Sequence, residues 1–205
     1  MARLSVELNR FFFEDPGREK VTLADILTLA GERTFGFLFV LLALPSALPV
    51  PAPGYSVPFG IVMLLLAVQL IAGRKRPWMP RKWQSKAFEV QQLHGILNKG
   101  LPWLRRLESL SRPRLTYICT SLPGRVLIGF AIALMSVSMM IPIPGTNTLP
   151  AMGIFVTGFG LLDDDGCISI SGLTLCVLGL VLTSLILIFG YEGVKLGIEY
   201  LRNML

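Results

Sequence analysis

The sequence predicts an all-α integral membrane protein. Its parts are two repeated, Pro/Gly-broken helical hairpins that re-enter the membrane, one long transmembrane helix, and amphipathic interfacial helices. Three observations predict it. The chain is 53% hydrophobic with a mean hydropathy of +0.64, which excludes an ordinary soluble domain. Two long stretches carry no charge, 40 residues from Thr34 to Gly73 and 37 from Val126 to Leu162. Each is interrupted by the pattern Pro-x-Pro-Gly, as Pro51-Ala52-Pro53-Gly54 and as Pro142-Ile143-Pro144-Gly145. Arg33 stands 18 residues before the first motif and Arg125 stands 17 before the second, the spacing of a duplicated unit.

The chain divides as a single membrane domain over 1–205. Repeat 1 covers about 31–73, a basic amphipathic loop about 74–124, repeat 2 about 125–162, and a transmembrane helix about 166–191. The repeats read as hairpins because their limbs are short. A crossing helix needs about 20 apolar residues. Without the turn, repeat 1 leaves about 16 residues per limb. In repeat 2, Val126 to Ile141 gives 16 residues and Ala151 to Leu162 gives 12, the latter only roughly 18 Å of helix. Proline removes a backbone donor and glycine permits a reversal, so Pro51, Pro53, Gly54, Pro142, Pro144 and Gly145 form the turns. Backbone freed there must face protein or water. Thr146, Asn147 and Thr148 in the second turn, and Tyr55 and Ser56 in the first, either satisfy that backbone or coordinate a solute.

Taken in order, residues 1–20 read as a short amphipathic helix ended by Asp15-Pro16-Gly17. Thr22 offers an N-cap for a helix from Leu23 to Ala30 that stops at Gly31. No signal peptide is visible, because Phe11-Phe12-Phe13 is too short for an apolar signal core. Glu32 and Arg33 stand at the mouth of the first hairpin, as membrane-edge anchors or as a solute-binding or proton-coupled pair. Gln69, inside the first hairpin, is either an interhelical hydrogen-bonding residue or part of a polar path.

Arg74, Lys75 and Arg76 with Trp78 form an interfacial anchor that contacts lipid or a partner. Residues 74–125 hold 12 of the 19 Lys and Arg but only Glu89 and Glu108, so the loop is expected on the cytoplasmic side, against anionic lipid and not nucleic acid. Apolar residues from Trp83 to Leu104 recur at helical intervals, which predicts two basic surface helices between Arg81 and Leu110. His94, the sole histidine, has no paired carboxylate or cysteine nearby and is a weak catalytic candidate. Leu115 to Leu122 is too short to cross.

Asp163-Asp164-Asp165 is the densest acidic cluster, read as a membrane exit and helix-capping anion, or as a site for cations, protons or a Mg²⁺-diphosphate. Gly166 to Tyr191 is charge-free for 26 residues, enough to cross. The three cysteines, Cys119, Cys167 and Cys176, form no Cys-x-x-Cys pair. They indicate neither metal nor disulfide. No cofactor and no catalytic residue is expected. Broken backbone favours a homodimer, for which Gly153, Gly158 and Gly160 allow close helix approach.

These pieces together resemble the ExoD family of exopolysaccharide synthesis proteins. The resemblance rests on Gly31-Glu32-Arg33-x-Phe35-Gly36, Ala43-Leu44-Pro45, and Gly73-Arg74-Lys75-Arg76-Pro77-Trp78-Met79-Pro80. It continues through Pro102-Trp103-Leu104-Arg105-Arg106, Arg112-Pro113-Arg114-Leu115, Pro142-Ile143-Pro144 and Asn147-x-Leu149-Pro150-Ala151. Gly145 directly after Pro144 departs from the pattern, where a variable residue is expected. The resemblance implies a multi-pass bacterial inner-membrane protein tied to exopolysaccharide production, in some members to tolerance of alkaline conditions, with no established reaction. Three functions compete. The first is a transporter or ion-coupled protein working through Glu32, Arg33, Gln69, Arg125, Asn147 and Asp163. The second is a non-catalytic assembly or regulatory partner of the polysaccharide machinery that docks through the basic loop. The third, an enzyme on a lipid-linked sugar, is supported only by the Asp163 cluster and lacks a nucleophile–base pair.

Overall fold

Among the described residues, six α-helices carry the structure. A computed structural model describes residues 20–22, 31–47, 56–78, 87–89, 111–141 and 147–204. The helices are α1 (Thr34–Ala47), α2 (Ser56–Ile71), α3 (Thr116–Thr120), α4 (Leu122–Met140), α5 (Thr148–Leu162) and α6 (Gly166–Met204, broken at Gly190). The turn residues Pro51, Pro53, Gly54, Pro142, Pro144 and Gly145 lie outside the described residues, as do His94 and the expected helices over 1–19 and 23–30.

One expectation is corrected. Lys20–Thr22 (β1) and Ala87–Glu89 (β2) form a short antiparallel pair, with Val21 opposite Phe88. Thr22 is therefore in a strand and not at a helix N-cap, and Ala87–Glu89 interrupts the surface helix expected there. Val21 and Phe88 favour extended backbone, and pairing with a distant segment outweighs a weak helical period.

Helix ends follow local chemistry. A turn of 3₁₀ helix, Gly31–Arg33, opens α1, with Gly31 at φ 57° and the Thr34 hydroxyl donating to its carbonyl. Ser121 caps α4, its Oγ accepting from the Gly124 N–H at 3.2 Å. α2 and α5 end in the same device. In α2, Gly73 takes a left-handed conformation and the Arg74 N–H returns to the Gln69 carbonyl at 3.2 Å. In α5, Asp164 is left-handed and the Asp165 N–H returns to the Gly160 carbonyl at 2.8 Å. Aspartate tolerates that conformation better than most residues.

The limbs pack across the two sequence halves more than within them. α5 is the central helix, with α1 on one side and α6 on the other, while α2 packs against α4. A Cβ on Gly36 would lie 2.5 Å from the Leu162 nitrogen and 2.8 Å from the Gly158 oxygen, so α1 and α5 meet backbone to backbone and run antiparallel. On the other pair, a Cβ on Gly129 would lie 3.2 Å from the Ala67 oxygen and 2.8 Å from the Ile71 side chain. Gly153 and Gly160 face α6, and Gly158 faces α1. The three glycines expected at a dimer interface thus serve contacts inside one chain.

By length, α4 (19 residues) and Gly166–Gly190 (25 residues) are apolar and long enough to cross a membrane. α4 is longer than the expected limb because Leu122–Arg125 join it, so Gly166–Tyr191 is not the sole such segment. α1, α2 and α5 have 14, 16 and 15 residues, at most roughly 24 Å of helix. Outer faces are as apolar as packed ones: Ile61, Leu65 and Val68 of α2, Leu127, Phe130 and Val137 of α4, and Leu187, Ile188 and Phe189 of α6 are exposed. Helices apolar on all sides belong in lipid or a large core.

Candidate functional site at the shared charged end

Six helix ends meet at one end of the bundle. The Arg125 guanidinium donates through Nη2 to the Arg74 carbonyl at 2.8 Å, tying the start of α4 to the end of α2. The Cys119 thiol of α3 lies 3.5 Å from the Gly160 carbonyl and 3.3 Å from the Ser169 Oγ, joining the end of α5 to the start of α6. The Gly166 N–H donates to the Arg114 carbonyl at 2.7 Å. Gly36 against Leu162 brings in the start of α1. Arg33, Arg74, Lys75, Arg76, Arg112, Arg114, Arg125, Asp163, Asp164 and Asp165 all belong to these ends.

Asp165 is the buried member, 3% exposed. Its Oδ1 accepts from the backbone N–H of Cys167 at 3.0 Å and of Ile168 at 3.3 Å, which caps α6. Its Oδ2 accepts from the Arg112 N–H at 2.9 Å and fastens the preceding segment. A carboxylate at a helix N-terminus is favoured by the helix dipole. The Gln69 Oε1 accepts from the Trp78 N–H at 2.5 Å and folds the Gly73–Trp78 hook back on α2. Arg74, Lys75 and Arg76 and Trp78 are thereby exposed on that hook.

The opposite end is neutral. α1 and α4 finish there and α2 and α5 begin, as the contacts of Gly60 with Ser136 and Met140 require. The Ser138 and Thr183 hydroxyls bond each other at 2.7 Å, and the Ser136 Oγ donates to the Ile132 carbonyl. Asn147 sits at this end. Of the six candidate binding residues, Arg33, Gln69, Arg125 and Asp163 share the charged end with the backbone of Glu32, and Asn147 lies the length of α5 away, roughly 22 Å. Asp165 is the helix-capping anion that the acidic cluster was expected to supply, and one residue was missed. Ser46, beside Pro45, carried no signal beyond proline in a helix.

Cys119 gives a direct test. Burial pushes its thiol up to about 11, Ser169 opposes this by a hydrogen bond, and Asp164 and Asp165 raise it further. At pH 8 it is protonated and unreactive, since the thiolate is the nucleophile. A maleimide is expected to label the partly exposed Cys167 first, and Cys119 only after unfolding. The folded thiol holds its proton more tightly than the unfolded one, so this contribution to stability is full below pH 9.0 and is lost as pH rises through about 11. Equal labelling of both thiols in folded protein at pH 8 would contradict the packing of α3.

Comparison with known proteins decides the family. The model of the family described as "Exopolysaccharide synthesis, ExoD" matches residues 4–185. The chain belongs to the ExoD family. This ExoD-family chain is 50% identical to an uncharacterized protein of Synechocystis sp. over 206 residues, covering 100% of the chain and 97% of that protein. It is 30% identical to the protein named ExoD of Rhizobium meliloti over 155 residues, covering 74% of the chain and 64% of that protein. No solved structure matches it significantly. Membership ties the chain to exopolysaccharide synthesis, and its two long apolar helices to a membrane.

Proposed function

We propose that this ExoD-family chain is a multi-pass protein of the bacterial inner membrane that supports exopolysaccharide synthesis or export by moving a solute or ion. Its two halves are repeated re-entrant hairpins that open on the same, charged side. The observation that carries the reading is the matched packing of the halves. Ala67, Gln69, Ile71, Gly73 and Arg74 correspond to Gly158, Gly160, Leu162, Asp164 and Asp165 at a constant offset of 91 residues, the same offset as Pro51 to Pro142. Gly36 meets Gly158 and Leu162, and Gly129 meets Ala67 and Ile71. Each first limb therefore meets the equivalent positions of the other half's second limb, as a pseudo-two-fold duplication requires.

The common opening favours parallel repeats, and α6 supports shallow hairpins. Thr183 is level with the end of α4, while α6 runs on through the exposed Leu187, Ile188 and Phe189. Broken helices whose ends gather on one side suit binding inside the bundle. The basic hook and the loop after it belong to the cytoplasmic face, and the working form is a homodimer. Proton and cation flux in proteoliposomes tests the function. Wild type is expected to conduct under an imposed gradient, and Glu32→Gln or Asp163→Asn to lose most of the flux. Folded protein that moves neither ions nor saccharides would end the transport reading. The exposed Arg74, Lys75 and Arg76 favour the second reading, a non-catalytic partner of the polysaccharide machinery. Capture of a glycosyltransferase or polymerase, lost when those three charges are reversed, would then replace transport.

A further inference from the structure

Two buried oxygens at the neutral end have no partner. The Ser46 hydroxyl, on a residue 5% exposed, makes no hydrogen bond. The Asn147 Oδ1 is likewise buried and unbonded. Asn147 holds the N-cap position of α5 yet makes no side-chain capping bond. Asn147 has a helical conformation (φ −73°, ψ −18°) instead of the extended one that a capping residue takes, and Pro150 at the third helical position offers no N–H.

The two groups come from different halves of the chain and from the same end of the bundle. α1 and α5 are antiparallel, with Gly36 against Leu162 and Phe39 against Gly158. Continuing that pairing sets Ser46 level with Pro150 and Ala151, about one helical turn along the bundle axis from Asn147. A buried polar atom left unsatisfied is costly, so two at the same end of the bundle call for an occupant.

We infer that the neutral end of the bundle binds one monovalent metal cation, with the Asn147 Oδ1 and the Ser46 hydroxyl among its oxygen ligands. The inference rests on the transport reading above and names what its interior would take. The Asn147 amide oxygen is an acceptor only and the Ser46 hydroxyl oxygen has lone pairs to offer, so both suit a cation. The ends of α1, α2, α4 and α5 gathered here carry no carboxylate among the described residues. Divalent cations are held mainly through carboxylates, so a neutral oxygen set fits a single charge. Space argues the same way. α5 stays against α6 as far as Pro150 and Gly179, where a Cβ would lie 3.5 Å from the Pro150 nitrogen. An ion fits beside such a contact more readily than a sugar ring does.

The test is thermal unfolding of the purified full chain in lipid nanodiscs. Sodium, potassium, lithium and choline chlorides are compared at one ionic strength, with magnesium chloride beside them. A cation that binds only the folded state raises Tm with its concentration. Wild type is expected to gain a few degrees in one alkali chloride over choline, and nothing beyond choline in magnesium. Asn147→Ala and Ser46→Ala are each expected to weaken that gain and the double variant to abolish it. Tm in choline should be unchanged or higher, because each change removes an unsatisfied atom. Equal wild-type Tm in every salt would overturn the site and leave an ordered water as its occupant. So would a cation-dependent gain that survives in the double variant. Flux measured in parallel separates the two readings. Flux without cation-dependent Tm leaves transport standing and sinks this site, whereas the expected Tm pattern without flux keeps the site and sinks transport.

Discussion

Gly172→Val is expected to prevent the chain from accumulating as a folded protein, and Gly172→Ala to lower its Tm by several degrees. Gly172 lies on the seam between α5 and α6. That seam runs in unbroken antiparallel register: Gly160 on Ser169, Thr157 on Gly172, Gly153 on Cys176, Pro150 on Gly179. A Cβ at 172 would lie 2.3 Å from the Thr157 nitrogen and 2.7 Å from its Cα. The neighbour is backbone inside a helix, so it cannot swing aside. The helices must separate, and contact is lost along the whole seam. Forcing extra methylenes into a packed core costs typically ~1–3 kcal/mol and more where backbone is the obstacle, against a total stability of about 5–15 kcal/mol. α5 has no slack elsewhere, because Gly158 and Gly36 fix it equally closely to α1. Gly193→Ala is the control, since its Cβ would meet only the Phe189 Cβ at 3.5 Å. Size-exclusion profiles and thermal melts in detergent check this. A wild-type Tm for Gly172→Val would mean that α5 and α6 do not touch as described.

This sensitivity was only half legible in the sequence. Charge-free length, Pro-x-Pro-Gly and Arg33 or Arg125 upstream marked the limbs; α2, α4 and α5 start and stop within four residues of the expected positions, and α6 starts as expected, breaks at Gly190 and runs on to Met204. Their partners were not legible. A limb that is apolar all round has no stripe to mark its packed face. Hairpin logic assigned each limb to its sequence neighbour, whereas glycine placement decides the contacts: Gly36 chooses α5, and Gly129 chooses α2. The same blindness sent Gly153, Gly158 and Gly160 to a dimer interface. For the candidate site, charge at hairpin mouths was readable because charge avoids lipid. Which charge is structural was not, because Arg125 and Asp165 reveal their backbone partners, Arg74 and Arg112, only once distant segments meet.

Asp165→Ala should release the segment that joins the basic loop to α3, with an effect second only to breaking the α5–α6 seam. One carboxylate here accepts from three backbone donors, those of Cys167, Ile168 and Arg112. Loss of the cap costs ~0.5–2 kcal/mol, and the Arg112 N–H left without a partner adds ~1–3 kcal/mol. The consequences are local before they are global. Arg112 lies three residues from Leu115, whose carbonyl stands against Gly166. Leu115 itself is held at φ 48°, a conformation its side chain disfavours. With Asp165 gone, that strain is expected to relax by freeing residues 111–115. Trypsin should then cut after Arg114 many times faster than in wild type, while the helical signal falls only slightly; the Arg112–Pro113 bond resists trypsin in either case. Asp165→Asn keeps one amide oxygen as an acceptor and should fall between the two. Equal protection of Asp165→Ala and wild type would show that the junction is held by the Gly166 to Arg114 bond alone. The acidic cluster would then be free to serve the solute path instead of the fold.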